Sequence, residues 1–249
     1  MAVVNVIRAR YVRKIGANLD LKVSAEISAP TSDAPERIGA SDVAQLLRRR
    51  IATQDVPPGS RLREWEVASA FGVSRLTARE ALDILVHFDF VDRQPNRGII
   101  VKRRELPEIL RLFEIREVNE GLCARLAASG VPSASWQDLV ELFEKPMAAI
   151  VERKDLLAYV ANYEVLRTRL IEAAASPALA NLLRWLYDLT DIFVRRILLA
   201  SDRTHSGLRD HRAVLAALRT GNAMEAERLR RMTIANIRAA VERYSAFVL

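Results

Sequence analysis

Between residues 41 and 102 the sequence sets out a helix, a second helix, a glycine turn, a third helix and a hairpin, and few folds use that order. The first helix is read from Ser41, a residue type that caps N-termini. It places Val43, Leu46, Leu47 and Ile51 on one face and exposes Arg48, Arg49 and Arg50, and Pro57-Pro58-Gly59 stops it. A second helix spans roughly Glu64–Phe71, with Val67, Ala68 and Phe71 inward. Gly72-Val73-Ser74 follows at once, and Ser74 is placed to cap a third helix that buries Ala78, Ala81, Leu82 and Leu85. Residues 90–93 and 99–102 are short β-type runs around the turn Pro95-Asn96-Arg97-Gly98.

This is the order of a winged helix-turn-helix. A glycine between two short helices turns the chain sharply, so that the second of them projects into a DNA major groove. Its exposed start must then supply the contacts. Ser74, Arg75, Thr77 and Arg79 occupy it, hydroxyls and guanidiniums suited to phosphates and to guanine edges. Arg75 and Arg79 are four apart and share a face, and Arg97 beside Gly98 at the hairpin tip suits a backbone or minor-groove approach. Arg63, just before the second helix, joins this set. The competing reading has these arginines solvating a helix face and pairing with Glu80 and Asp83.

Charge agrees with a polyanionic partner. Lys+Arg 38 against Asp+Glu 31 gives +7, most of it in residues 1–105. Residues 1–38 lack periodicity and are read as a flexible arm, ahead of a winged domain over 39–104 and a helical domain over 105–249. In that last part Pro107 opens a long helix to about residue 128, ended by Gly130. Ser135 opens another, interrupted or kinked at Pro146, and helical stretches follow near 155–175, 177–199, 207–220 and 223–247. Gly221-Asn222 stops the chain between the last two. No β pattern appears in this half, so the fold class is mostly α, with a small hairpin wing and an all-α bundle. Trp185, Leu186, Ile192, Phe193 and Leu198 read as bundle core.

Several function classes drop out. Cys123 is the single cysteine, read as buried and inert, so no intrachain disulfide forms; His87, His205 and His211 are the only histidines. No G-x-S-x-G elbow, phosphate-cradling glycine loop or H-E-x-x-H pattern is present, which argues against an enzyme. No apolar run approaches the roughly 18 residues of a membrane span, so the expectation is a cytoplasmic protein with no membrane partner.

The run from Leu46 to Val101, above all PPGSRL, FGVSR-x-x-x-REAL and PNRG, resembles the DNA-binding domain of the GntR family of bacterial regulators. The resemblance implies that Arg75, Thr77 and Arg79 contact operator bases or phosphates and that Gly98 lets the wing tip enter the minor groove. Leu76 and Trp65 depart from common patterns. EILRLFEIREVNEGLCARLAA, IEAAASPALANLL and DHRAVLAALRTGNAMEAERL are similar to the helical effector domain of the FadR subgroup. Many such domains hold a divalent metal through one Asp and three His. Carried over by position, those ligands fall on Tyr163, Arg167, His211 and Thr233, so one of four is retained and neither metal nor other cofactor is expected.

What remains is a candidate effector site. Tyr163 and Arg167 lie one turn apart, and a guanidinium can receive a carboxylate through two parallel hydrogen bonds. The alternative makes Arg167 an internal partner of Glu164 or Glu172. Arg116 is a further candidate contact. The expected function is thus a transcriptional regulator that binds a palindromic operator as a homodimer and is modulated by a small organic acid in the helical domain. The alternative is a regulator without ligand response, whose helical domain only dimerises.

Overall fold

The computed structural model describes residues 38–201 and 203–248, so the arm expected over 1–38 lies outside it except for Ile38. Helix α1 (Ala40–Ala52) is capped by Gly39 and not by Ser41: the Asp42 carboxylate accepts the Gly39 N–H at 3.0 Å. An acid in the first turn meets the positive end of the helix, and Ser41 is left exposed. Val43, Ala44 and Leu47 are buried. Then come β1 (Arg61–Leu62), α2 (Glu64–Phe71), α3 (Arg75–His87), β2 (Val91–Gln94) and β3 (Gly98–Val101). Gly72 ends α2 at φ +64°, the left-handed conformation glycine adopts without penalty, and Ser74 caps α3 by accepting the Thr77 N–H at 3.0 Å.

The sheet has a strand that the sequence reading lacks. Its order is β1-β3-β2, antiparallel throughout, with Arg61 opposite Ile100 and Leu62 opposite Ile99. Two residues carry no alternation to detect. Between β2 and β3 Gln94 pairs with Gly98, and Asn96 (φ +61°) and Gly98 (φ +79°) supply the left-handed turn residues.

The remainder is helical: α4 (Leu106–Gly130), a 3-10 turn (Ser133–Trp136), α5 (Gln137–Phe143), α6 (Lys145–Glu152), α7 (Leu156–Ala174), α8 (Pro177–Ala200), α9 (Arg203–Arg219), α10 (Ala223–Arg243) and α11 (Ser245–Val248). The break expected at Pro146 falls at Glu144, because the proline ring would clash with the carbonyl one turn back. Helix α9 begins at Arg203, not at Gly207. A Cβ on Gly207 would sit 2.4 Å from the Tyr159 hydroxyl, so this glycine leaves the room that the tyrosine tip occupies. The last helix does not run through to residue 247; it stops at Arg243, before Tyr244. The core joins Ile109 and Phe113 of α4 to Val194 and Ile197 of α8 and to Ile234, Ile237 and Val241 of α10. Each such burial contributes about 1.5–3 kcal/mol before chain entropy is set against it.

Helix α8 also meets the N-terminal elements. Arg48 Nε lies 2.8 Å from Asp188, Trp185 Nε1 donates to the Phe88 carbonyl at 2.9 Å, and Arg196 Nη2 donates to Gln54 Oε1 at 2.8 Å. Arg48, expected to be exposed, is therefore held against α8. Of the expected bundle-core series only Leu186 is fully buried. Trp185, Ile192, Phe193 and Leu198 are half-buried: α8 turns the first three partly toward the winged elements, while Leu198 lies against the bundle core.

Candidate nucleic-acid interface and bundle cavity

The left-handed Gly72 points the start of α3 outward, and four side chains there differ in how free they are. Ser74 and Thr77 share a 2.8 Å hydroxyl contact while Ser74 caps the helix, so both are partly committed to local structure. Arg75 is exposed and makes no hydrogen bond or ion pair among the described residues. Arg79 is exposed too, but its Nε and Nη2 donate to the two Glu64 oxygens at 2.9 and 3.0 Å. That fork lowers the Glu64 carboxyl and raises the Arg79 guanidinium. The arginines do not pair as the competing reading had them: Asp83 is taken by Arg93, and Arg79 reaches back to α2. Arg63 pairs with Glu66 at 3.0 Å. Arg97 and Gly98 are exposed at the wing tip.

In the bundle, Tyr163, His211 and Thr233 do converge. Tyr163 stacks on His211 with ring centroids 4.7 Å apart, and all three line one cavity with Tyr159, Gly207 and Arg203. Arg167 and Arg116 also reach Tyr163, the first lying 5.1 Å over its ring and the second donating to its hydroxyl at 3.4 Å, but neither lines the cavity and both are held by acids. Arg167 donates from Nη1 and Nη2 to the two Asp191 oxygens at 2.7 and 2.8 Å and also pairs with Glu164. Of the two partners expected for a structural Arg167, Glu164 is present, and Asp191 rather than Glu172 is the other. Arg116 donates to Glu120 at 2.6 Å and to Thr190 at 2.8 Å. Arg230 completes the cluster, donating to Glu120 at 2.7 Å and to the Tyr163 hydroxyl at 3.1 Å. Burial penalises the Glu120 and Asp191 carboxylates, but the facing guanidiniums outweigh it and hold both below their ordinary range.

The cavity itself is small. Its volume is about 20 Å³, room for roughly one water. Burial, with Arg230 and Arg203 nearby, pushes His211 well below its ordinary value, so the ring is neutral. Its Nδ1, Arg203 Nε and Arg230 Nη1 are buried without a hydrogen-bond partner among the described residues. This donor set does not fit a divalent metal: one imidazole faces guanidiniums, and no group of three or more His, Cys, Asp or Glu among the described residues could hold one. His205 sits instead near Glu152, at 3.3 Å.

Sequence reasoning missed Arg203, Arg230, Tyr159 and Asp191. Glu120 was missed too, although it and Tyr159 left a local signal, each four residues from an expected site residue on the same helix. Arg203 fell between the helical stretches expected near 177–199 and 207–220.

A family model described as bacterial regulatory proteins, gntR family, matches residues 40–101, and an FCD domain model matches 111–244. An HTH-type transcriptional regulator of Agrobacterium vitis is 30% identical over 152 residues, 60% of this chain and 88% of the relative. The Uxu operon regulator of Haemophilus influenzae is 24% identical, covering 79% of each chain. Among solved structures, McbR/YncC of E. coli is alike in fold, with a TM-score of 0.65 at 20% identity over 82% of this chain and 98% of that one.

Proposed function

Since this chain belongs to the GntR family of bacterial transcriptional regulators, with the FCD helical domain of the FadR-like subgroup, we propose that it reads a palindromic operator as a homodimer, placing α3 in the major groove and the Arg97-Gly98 tip against the minor groove. Arg75 carries the reading. It is an exposed, unpaired guanidinium in the first turn of α3, one turn from Arg79. Arg63, Ser74 and Thr77 would add phosphate contacts. A single winged domain covers only a half-site, and a two-fold pair gains effective concentration on a palindrome. Arg75→Ala is expected to weaken specific operator binding by about 1–3 kcal/mol in fluorescence anisotropy at fixed salt. Unchanged affinity would overturn the assignment of α3. Light scattering should give twice the 28.0 kDa chain mass; a particle of single mass with operator present would remove the dimer.

Operator binding is further proposed to respond to a small organic anion at the bundle cavity. The unpartnered Nε of Arg203 and Nδ1 of His211 in its wall, with Tyr159, Tyr163 and Thr233, support this, and Arg203 takes the place first given to Arg167. A carboxylate-bearing effector is larger than this space and would have to displace the start of α9. That small volume favours a second reading, in which the helical domain only dimerises. Calorimetry with sugar acids and hydroxy acids separates them: a ligand lost in Arg203→Met supports the first, and no binding by the unsubstituted protein supports the second.

A further inference from the structure

A much larger space than the bundle cavity lies where α8 faces the winged elements. It has a volume of about 300 Å³, against 20 Å³ for the bundle cavity, and reaches the lower end of the roughly 300–1,000 Å³ that small-molecule sites occupy. Phe90 and Val101 wall it on one side, and Ile192 and Phe193 of α8 on the other. Four cationic side chains border it: Lys102, Arg103 and Arg104 on the connector into α4, and Arg196 on α8.

Their commitments differ. Lys102 and Arg104 are held by Asp89 and Glu108, at 2.8 and 3.0 Å for the lysine. Asp188, the acid in the wall, is matched by Arg48. Arg196 spends a donor on the neutral Gln54 amide oxygen. Gln54 holds a left-handed backbone (φ +63°), uncommon for a residue of that type and kept only where surroundings over-determine it. Arg103 is exposed and has no ion pair among the described residues. Arg103 thus brings a guanidinium with no acid partner among the described residues to the edge of an apolar floor.

We propose that this interdomain cleft is a ligand site distinct from the bundle cavity, taking an amphipathic organic anion whose apolar body lies on Ile192 and Phe193 and whose acid group is received by Arg103. Because the winged elements and α8 both contribute walls, an occupant contacts both at once. It then favours the arrangement in which they are set as here, and operator affinity changes by the same factor as ligand affinity differs between arrangements.

The test is calorimetry on the full chain with benzoate, 2-naphthoate and 8-anilinonaphthalene-1-sulfonate as probes. At least one should bind once per chain, and 2-naphthamide, lacking the charge, should bind about tenfold weaker than the naphthoate, the usual worth of a charge-assisted hydrogen bond. Arg103→Ser, a change at an exposed side chain, should weaken the probe by a similar factor. Ala52→Phe, which fills the cleft from the end of α1, should abolish binding while circular dichroism stays unchanged. Arg203→Met should leave the probe unaffected. If no probe binds at millimolar concentration, or if binding is lost in Arg203→Met and kept in Arg103→Ser and Ala52→Phe, the cleft is not the site. A probe that binds the cleft without altering operator affinity overturns the coupling.

Discussion

Arg75 and Arg79 lie one turn apart on α3, yet one is bare and the other is gripped by Glu64 through two hydrogen bonds. To meet a phosphate or a base, Arg79 has to leave that carboxylate, and Glu64 itself repels DNA. Glu64→Gln should therefore tighten operator binding a few-fold at low ionic strength, with the gain shrinking as salt rises because both groups are exposed. Gel shift at two salt concentrations reads this; an unchanged affinity at low salt would mean that Arg79 never approaches the duplex. Cys123 shows the opposite condition. Burial, reinforced by Glu120, pushes its thiol up to about 12, which leaves it protonated and unreactive at neutral pH.

Helix packing depends on two glycines of α4 for different reasons. A Cβ on Gly130 would lie 2.3 Å from the Ala173 carbonyl oxygen, part of the backbone of α7, which cannot step aside. A Cβ on Gly121 would lie 2.4 Å from Arg231 Cγ and 3.3 Å from Glu227 Cγ, inner atoms of two side chains on α10. Gly130→Ala should cost about 1–3 kcal/mol by overpacking against backbone, whereas Gly121→Ala should cost less, because Arg231 can change rotamer and helix propensity returns about 0.5–1 kcal/mol. Urea midpoints at constant slope compare them. Equal losses would mean that α4 and α7 can separate more easily than this crossing implies. The same helices are pinned by buried charge: removing Glu120 would leave Arg116 and Arg230 without their shared carboxylate, a costly state in a buried cluster.

For the whole molecule, the contact of α1 with α8 makes stability depend on pH. Burial, against the pull of Arg48 and with the push of Asp191, lifts the Asp188 carboxyl from 3.8 to about 6. The folded protein thus keeps a proton that the unfolded chain releases, so Asp188 makes stability fall as pH rises between those two values and stay lower above them. Asp188→Asn removes the effect. Relative to the parent, the variant should gain on the order of 1–3 kcal/mol as pH is raised through that interval. Denaturant unfolding at its two ends measures the difference; a gain that does not grow with pH would mean that Asp188 titrates normally.

The elements whose ends are set by neighbours in the chain were legible in the sequence. The Ser74 cap, the Gly72 turn, the Asn222 cap and the hairpin turn involve atoms within about a turn of one another, so residue type alone specifies them. The set Ser74, Arg75 and Thr77 at the start of α3 follows from the same local rules, whereas the convergence of Tyr163 with His211 and Thr233 was implied only by the family resemblance. Local rules stop at partner choice. Arg167 meets Asp191 24 residues away, Arg116 meets Thr190 74 away, and Arg230 meets Glu120 110 away. A buried guanidinium must be satisfied by whatever acid the packed helices bring within about 3 Å, and no spacing in the chain encodes that distance. Tertiary packing likewise decided which spaces stayed open, shrinking the bundle cavity around Tyr163 and leaving the cleft beside Arg103, because volume is what remains after every helix has found its neighbour.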